Sequence, residues 1–180
     1  MEKIKKYAAI FFIVLISAGL YSCGGGKTVR PEVAEAYSLD AAGNRLIAGM
    51  FKEFDAAFAE LKRSDKITDS DLYDYADTVI DAYDNFDNEF EEYWESLSDN
   101  ISSAESKTKE KYMDIQLEQL NLSMNLADLS SSRTRYMIEG GSGEAIFEEA
   151  VNFVDTVSML FYGEHIFSDD DLDALADKLE

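Results

Sequence analysis

The sequence predicts an all-α protein, an up-down antiparallel bundle of about four long helices with a short C-terminal helix against one end. Three observations carry this. Pro31 is the only proline, so no later stretch is barred from the helix interior. Apolar residues recur at three- and four-residue spacing through four long segments. The breaks between those segments are short, and short connections make successive helices antiparallel.

The first long helix is expected over about 45–63. Ile47, Met50, Phe51, Phe54, Ala57, Phe58 and Leu61 form its apolar stripe, and Lys62 and Arg63 place cations at the negative end of its dipole. Residues 33–42 read as a preceding helical piece, with Gly43-Asn44 as the break. The second spans about 69–98, with Leu72, Ala76, Val79, Tyr83, Phe86, Phe90, Tyr93 and Leu97 on one side. Thr68 and Ser70 are both N-cap candidates, followed by acids in the first turn.

The third is expected over about 103–131, opened by a Ser102–Glu105 capping box. Leu120, Leu122, Met124 and Leu126 alternate as a strand would. Leu, Met, Gln and Glu favour helix, however, and no second strand is present to pair with one. Such a helix is apolar over a wide arc, which predicts a central position.

The fourth runs about 143–162 after the loop EGGSG, with Ile146, Ala150, Phe153, Val157 and Leu160 on its main face and Gly163 ending it. The closing helix, FSDDDLDALADKLE, is capped by Ser168 and turns Leu172, Leu175 and Leu179 inward. Residues 67–77 (ITDSDLYDYAD) echo 167–177 (FSDDDLDALAD), read as two helix starts obeying one capping rule.

The segment before this body is of another kind. Lys3, Lys5 and Lys6 precede residues 7–20, YAAIFFIVLISAGL, which carry no charge. A basic start followed by an apolar run is the layout of a secretory signal. At about 1.5 Å per residue the run covers about 21 Å, short of a bilayer core of about 30 Å, which disfavours a permanent transmembrane helix. The run ends in Leu20-Tyr21-Ser22-Cys23, followed by three glycines, and Cys23 is the only cysteine. A free thiol there has no packing and no disulfide partner.

Leu20-Tyr21-Ser22-Cys23 resembles the lipobox of bacterial lipoproteins, with a bulkier residue than usual at Tyr21. The resemblance implies cleavage before Cys23, a diacylglycerol on its thiol and usually an acylated amine, hence a membrane anchor of two or more acyl chains. It divides the chain into a signal peptide at 1–22, a flexible tether at 23–32 and an acidic helical domain at 33–180. Gly24 after the cysteine implies the bacterial outer membrane over the inner. The absence of acids in GGGKTVR implies the periplasmic face.

The chain carries 37 acidic against 16 basic residues, a formal net charge of −21. That excludes nonspecific nucleic-acid binding and makes a basic patch an unsuitable anchor to anionic lipid. The acids concentrate. Between Ile67 and Ser106 there is no Lys or Arg, and Asp74, Asp77, Asp81, Asp84 and Asp87 recur at helical spacing. Glu91, Glu92 and Glu95 are expected to meet Lys107, Lys109 and Lys111 across a hairpin, whereas Asp74 to Asp87 have no partner in view. That half reads as a solvated face, as a docking surface for a basic protein, or as a cation-binding run. DAYDNFDNEFEE lacks the glycine and spacing of a calcium loop, so no metal ligands are assigned.

No catalytic set emerges. His165 is the only histidine, and its place just past a helix suggests a contact with the helix end. A Glu-x-x-His pair and a Gly-x-Ser-x-Gly elbow are both missing. Gly140-Gly141-Ser142-Gly143 lacks the lysine of a phosphate loop. Tyr75, Tyr83, Phe86, Phe90, Tyr93 and Trp94 fall at core spacing. The expectation is a non-enzymatic binding or structural module without a cofactor. The alternatives are an inhibitor- or immunity-type lipoprotein that captures a basic protein, and a bundle holding a cation or cofactor; a polar cavity around His165 would favour the last.

Overall fold

A computed structural model describes residues 27–101 and 108–179. Among them are six helices: α1 (Pro31–Ala36), α2 (Ala41–Arg63), α3 (Asp69–Ile101), α4 (Thr108–Glu139), α5 (Gly143–Tyr162) and α6 (Asp169–Ala176). The fold is the all-α bundle that the periodicity predicts. Helix α2 packs on α3, α3 on α5, α4 on α5 and α3, α1 on α4, and α6 on α2. Among the described residues no helix is long and apolar enough to cross a membrane.

Among the described residues, most of the predicted stripes of α2, α3 and α5 form the core, with Ala57, Phe90 and Tyr93 partly buried at its edge. Phe54, Val79, Phe153, Val154 and Val157 are almost wholly enclosed. Edge-on aromatic contacts tie the helices: Tyr83 to Phe153 at 5.0 Å between centroids, Phe86 to Phe161 at 5.7 Å, and Tyr37 to Phe90 at 5.5 Å. Such pairs add about 0.5–1.5 kcal/mol each beyond their burial.

Two boundaries differ from the expectation. The break before α2 falls at residues 37–39, and Asp40 caps the helix by accepting from Ala42 N–H at 2.7 Å and Gly43 N–H at 3.1 Å. Gly43 lies inside α2, where its missing Cβ admits Tyr93; a Cβ there would stand 2.8 Å from the Tyr93 ring. Helix α4 continues to Glu139. The proposed Ser102–Glu105 box lies outside the described residues.

The resembling segments 67–77 and 167–177 do share one cap. Thr68 Oγ1 donates to Asp71 Oδ2 at 2.7 Å, and Ser168 Oγ donates to Asp171 Oδ2 at 2.8 Å. Thr68, not Ser70, therefore opens α3. Leu175 is buried, but Leu179 is exposed. The backbone near Leu179 instead pairs with the start of α3, where Ile67 N–H donates to Lys178 O at 2.9 Å.

Helix α4 also departs from its reading. Ile115, Leu122 and Leu129, seven residues apart, are buried as a single seam. The second apolar set, Leu117, Leu120 and Met124, faces away from the bundle with 57–59 % of each residue exposed. A helix between two layers would cover both sets. α4 lies on the outside, so one is covered.

Candidate functional site

The N-terminal arm is docked, not free. Val29 is buried in the core. Arg30 N–H donates to Phe161 O at 2.7 Å. The Arg30 guanidinium then reaches the last turn of α5, donating to Met159 O at 3.1 Å and Leu160 O at 3.3 Å. A cation bonded to the carbonyls at a helix C-terminus satisfies orphan acceptors and complements the dipole. The same group holds Glu32 at 2.7 Å and Glu118 of α4 at 3.1 Å. Gly163, with φ 72°, closes α5 in the left-handed conformation directly under the Arg30 side chain. Lys27 pairs with Glu164 at 3.1 Å and lies 5.7 Å above the Tyr162 ring. Burial pushes the Tyr162 hydroxyl up to about 12, with Asp55 and Glu164 adding to the shift. The tether expected over 23–32 is therefore shorter, because its residues from Lys27 onward belong to the folded body. Cys23 and the lipobox lie outside the described residues.

The acidic run on α3 divides. Asp74, Asp81, Asp84 and Asp87 are exposed, and none of them makes an ion pair among the described residues. Asp77 is half-buried and paired with Arg133 of α4. This corrects the expectation that the N-terminal half lacks any partner in the chain. Partial burial raises the Asp87 carboxyl, and the neighbouring Glu91 and Asp84 charges raise it further. Around Asp87 the face thus carries like-charge repulsion. The expected pairs of Glu91, Glu92 and Glu95 with Lys107, Lys109 and Lys111 involve side chains outside the described set. Among the described residues no group of three or more His, Cys, Asp or Glu is placed to hold a metal ion.

His165 bonds Asp155 through Nδ1 at 2.5 Å and not the α5 carbonyls. Asp155 also accepts from Ile166 N–H at 3.2 Å, so the pair fastens the α5–α6 loop. The polar cleft of the structure is elsewhere. It has a volume of about 290 Å³ between α4 and α5 and is lined by Asn125, Asp128, Ser131, Ser132, Arg135, Glu149 and Asn152. Sequence reading missed it. Asn125, Asp128, Ser132 and Arg135 do share one helical face by spacing, but as bland polar residues they carry no motif. The cleft contains no histidine or cysteine; its ionisable side chains are Asp128, Glu149 and Arg135.

These features define a compact acidic helical bundle with its N-terminal arm fastened to the outside of α4 and α5. No protein-family model, no curated protein and no solved structure matches the chain.

Proposed function

We propose that this is a lipid-anchored protein of the bacterial envelope, held through acyl chains on Cys23, whose helical body serves as a non-catalytic binding or structural module. The observation that carries the reading is the apolar run 7–20 ending in Leu20-Tyr21-Ser22-Cys23. The body supports it in one respect. Its net charge of −21 repels anionic lipid, so covalent acyl chains are the suitable attachment. Outer-membrane residence is the sorting that Gly24 favours, and the absence of acids in GGGKTVR favours the periplasmic face. The test is mass spectrometry of the protein expressed in a bacterial host. A mature form that begins at Cys23 and carries a diacylglycerol is the expected result; an unmodified chain starting at Met1 rejects it.

A second reading concerns the acidic face. Asp74, Asp81, Asp84 and Asp87 stay exposed and, among the described residues, unpaired although their repulsion costs stability, which favours capture of a basic protein partner, as inhibitor- or immunity-type proteins do. Pull-down of envelope proteins before and after changing Asp74, Asp77, Asp81 and Asp84 to Asn tests this. Capture that survives the changes removes the face from consideration.

A further inference from the structure

Leu117, Leu120 and Met124 lie within one narrow arc of α4. That arc is opposite the buried seam of Ile115, Leu122 and Leu129. The stripe is also depleted of charge. From Ile115 to Ala127 the only ionised side chain is Glu118, and Arg30 neutralises it at 3.1 Å. In a chain of net charge −21, a stretch of this length without free charge is the exception, and it ends at the exposed Asp128 one turn beyond Met124.

Its position fixes what can cover it. Arg30 bonds Glu118, which is adjacent in sequence to Leu117, so the docked arm reaches α4 at the level of the stripe. Cys23 is four residues before Lys27, the first described residue. Four residues span at most about 14 Å. Anything that holds Cys23 is therefore held within about 14 Å of Lys27, three residues before the Arg30 that bonds Glu118. A second copy of this chain is the poorer occupant. The three side chains expose roughly 300 Å², against about 800 Å² per partner in a stable interface. Two copies also bring two strongly acidic bodies together.

Resting on the lipid-anchor reading, we infer that the Leu117–Leu120–Met124 face of α4 lies against the apolar–polar boundary of the bilayer that holds Cys23. The acyl chains supply the affinity, and the stripe sets which side of the bundle meets the membrane. A contact too small to bind alone suffices because the anchor makes it intramolecular. The negative charge of the remainder makes zwitterionic lipid the matching surface and keeps the α3 acids toward water.

The test uses the full acylated protein. In that form the Cys23 sulfur is held as a thioether, so Leu120→Cys provides the sole thiol for a polarity-sensitive fluorophore. Asp84→Cys on α3 is the control. Both positions are exposed and neither change disturbs the core. The proteins are reconstituted into phosphatidylcholine vesicles with or without brominated acyl chains. The label at 120 should shift to the blue and lose most of its emission to the bromolipid, while the label at 84 does neither. A label at 120 that stays in water, with diacylglycerol present on Cys23, overturns the inference and leaves the anchor standing. Self-quenching between copies at 120, in detergent as on vesicles, overturns it in favour of a dimer. Absence of lipid on Cys23 removes the anchor reading and this inference together.

Discussion

Gly143→Ala should be among the most damaging single-methyl additions to this protein. Gly143 opens α5, and its N–H donates to Asp69 Oδ1 at 3.0 Å. Asp69, at the start of α3, therefore caps a different helix, doing what the Ser142 side chain does not. A Cβ on residue 143 would stand 2.5 Å from Asp69 O and 2.6 Å from its Cα. Both are backbone atoms of a helix start and cannot rotate aside. Overpacking of this kind costs about 1–3 kcal/mol. Displacing Asp69 also forfeits the cap, about 0.5–2 kcal/mol. The first helical position returns little of alanine's propensity advantage, which leaves a net loss of about 2–4 kcal/mol. For a domain of this size that lowers Tm by roughly 5–15 °C. Gly49→Ala is the internal control. Gly49 is in the middle of α2 with nothing within 4 Å of the added carbon, so the same change should stabilise by about 0.5–1 kcal/mol. Urea unfolding followed by helical circular dichroism reads both. If the two alanines shift the midpoint in the same direction, the close approach of α3 and α5 at Asp69 is wrong.

Other perturbations follow the same logic. Phe153→Ala removes a side chain fully buried against Tyr83 and should cost about 3–5 kcal/mol in the same urea titration. Asp40→Ala should cost about 1 kcal/mol by uncapping α2. The bond from Gly43 N–H, with Ala42 N–H helping, holds the Asp40 carboxyl below the usual range. Its contribution is therefore complete above the unfolded value of about 3.9 and vanishes as pH falls through the folded value. The wild-type and Asp40→Ala stabilities should converge at low pH. Asp87→Asn has the opposite sign. Its carboxyl is raised, so ionisation penalises the folded state, and removing the charge should stabilise by about 0.5–1 kcal/mol at neutral pH and low salt, from two like-charged helical neighbours. The gain should shrink in high salt and as pH falls through the folded value.

The helices were legible because each needs only local information: period, caps and the absence of proline. The matching caps at Thr68 and Ser168 show how far that goes. Where the reading went astray, a distant residue decided. Gly43 looks like a helix breaker until Tyr93 is placed against it; the glycine is there for lack of a side chain, not for freedom of φ. Leu120 and Leu122 look alike in sequence, and only the packing partners of α4 decide that Leu122 is covered while Leu120 is not. Asp77 and Arg133 are far apart in the chain, and their pairing depends on the register of α3 against α4. The polar cleft arose from side chains with no distinctive chemistry. For the candidate anchor the balance is reversed: all of its signal is in the sequence, in residues 7–23.

Arg30 connects that anchor to the fold, and its removal separates the two. In Arg30→Gln the amide cannot reproduce the fork that joins Glu32, Glu118 and two α5 carbonyls. Charge-assisted bonds contribute about 1.5–3 kcal/mol when sheltered. This one is only partly so, and the global cost should be about 1–2 kcal/mol. The local effect should be larger. The Arg30 amide, bonded to Phe161 O, belongs to an arm with few contacts besides Val29, Lys27 and Arg30 itself. Losing the guanidinium should let that arm open without unfolding the bundle. Hydrogen exchange should then show the Arg30 amide losing protection by much more than the amides of α3, such as that of Val79. Equal losses at both positions would mean that the arm and the bundle unfold as one unit. In that case residues 27–30 are core, and Lys27 stays a fixed point on the folded body for as long as the protein is folded.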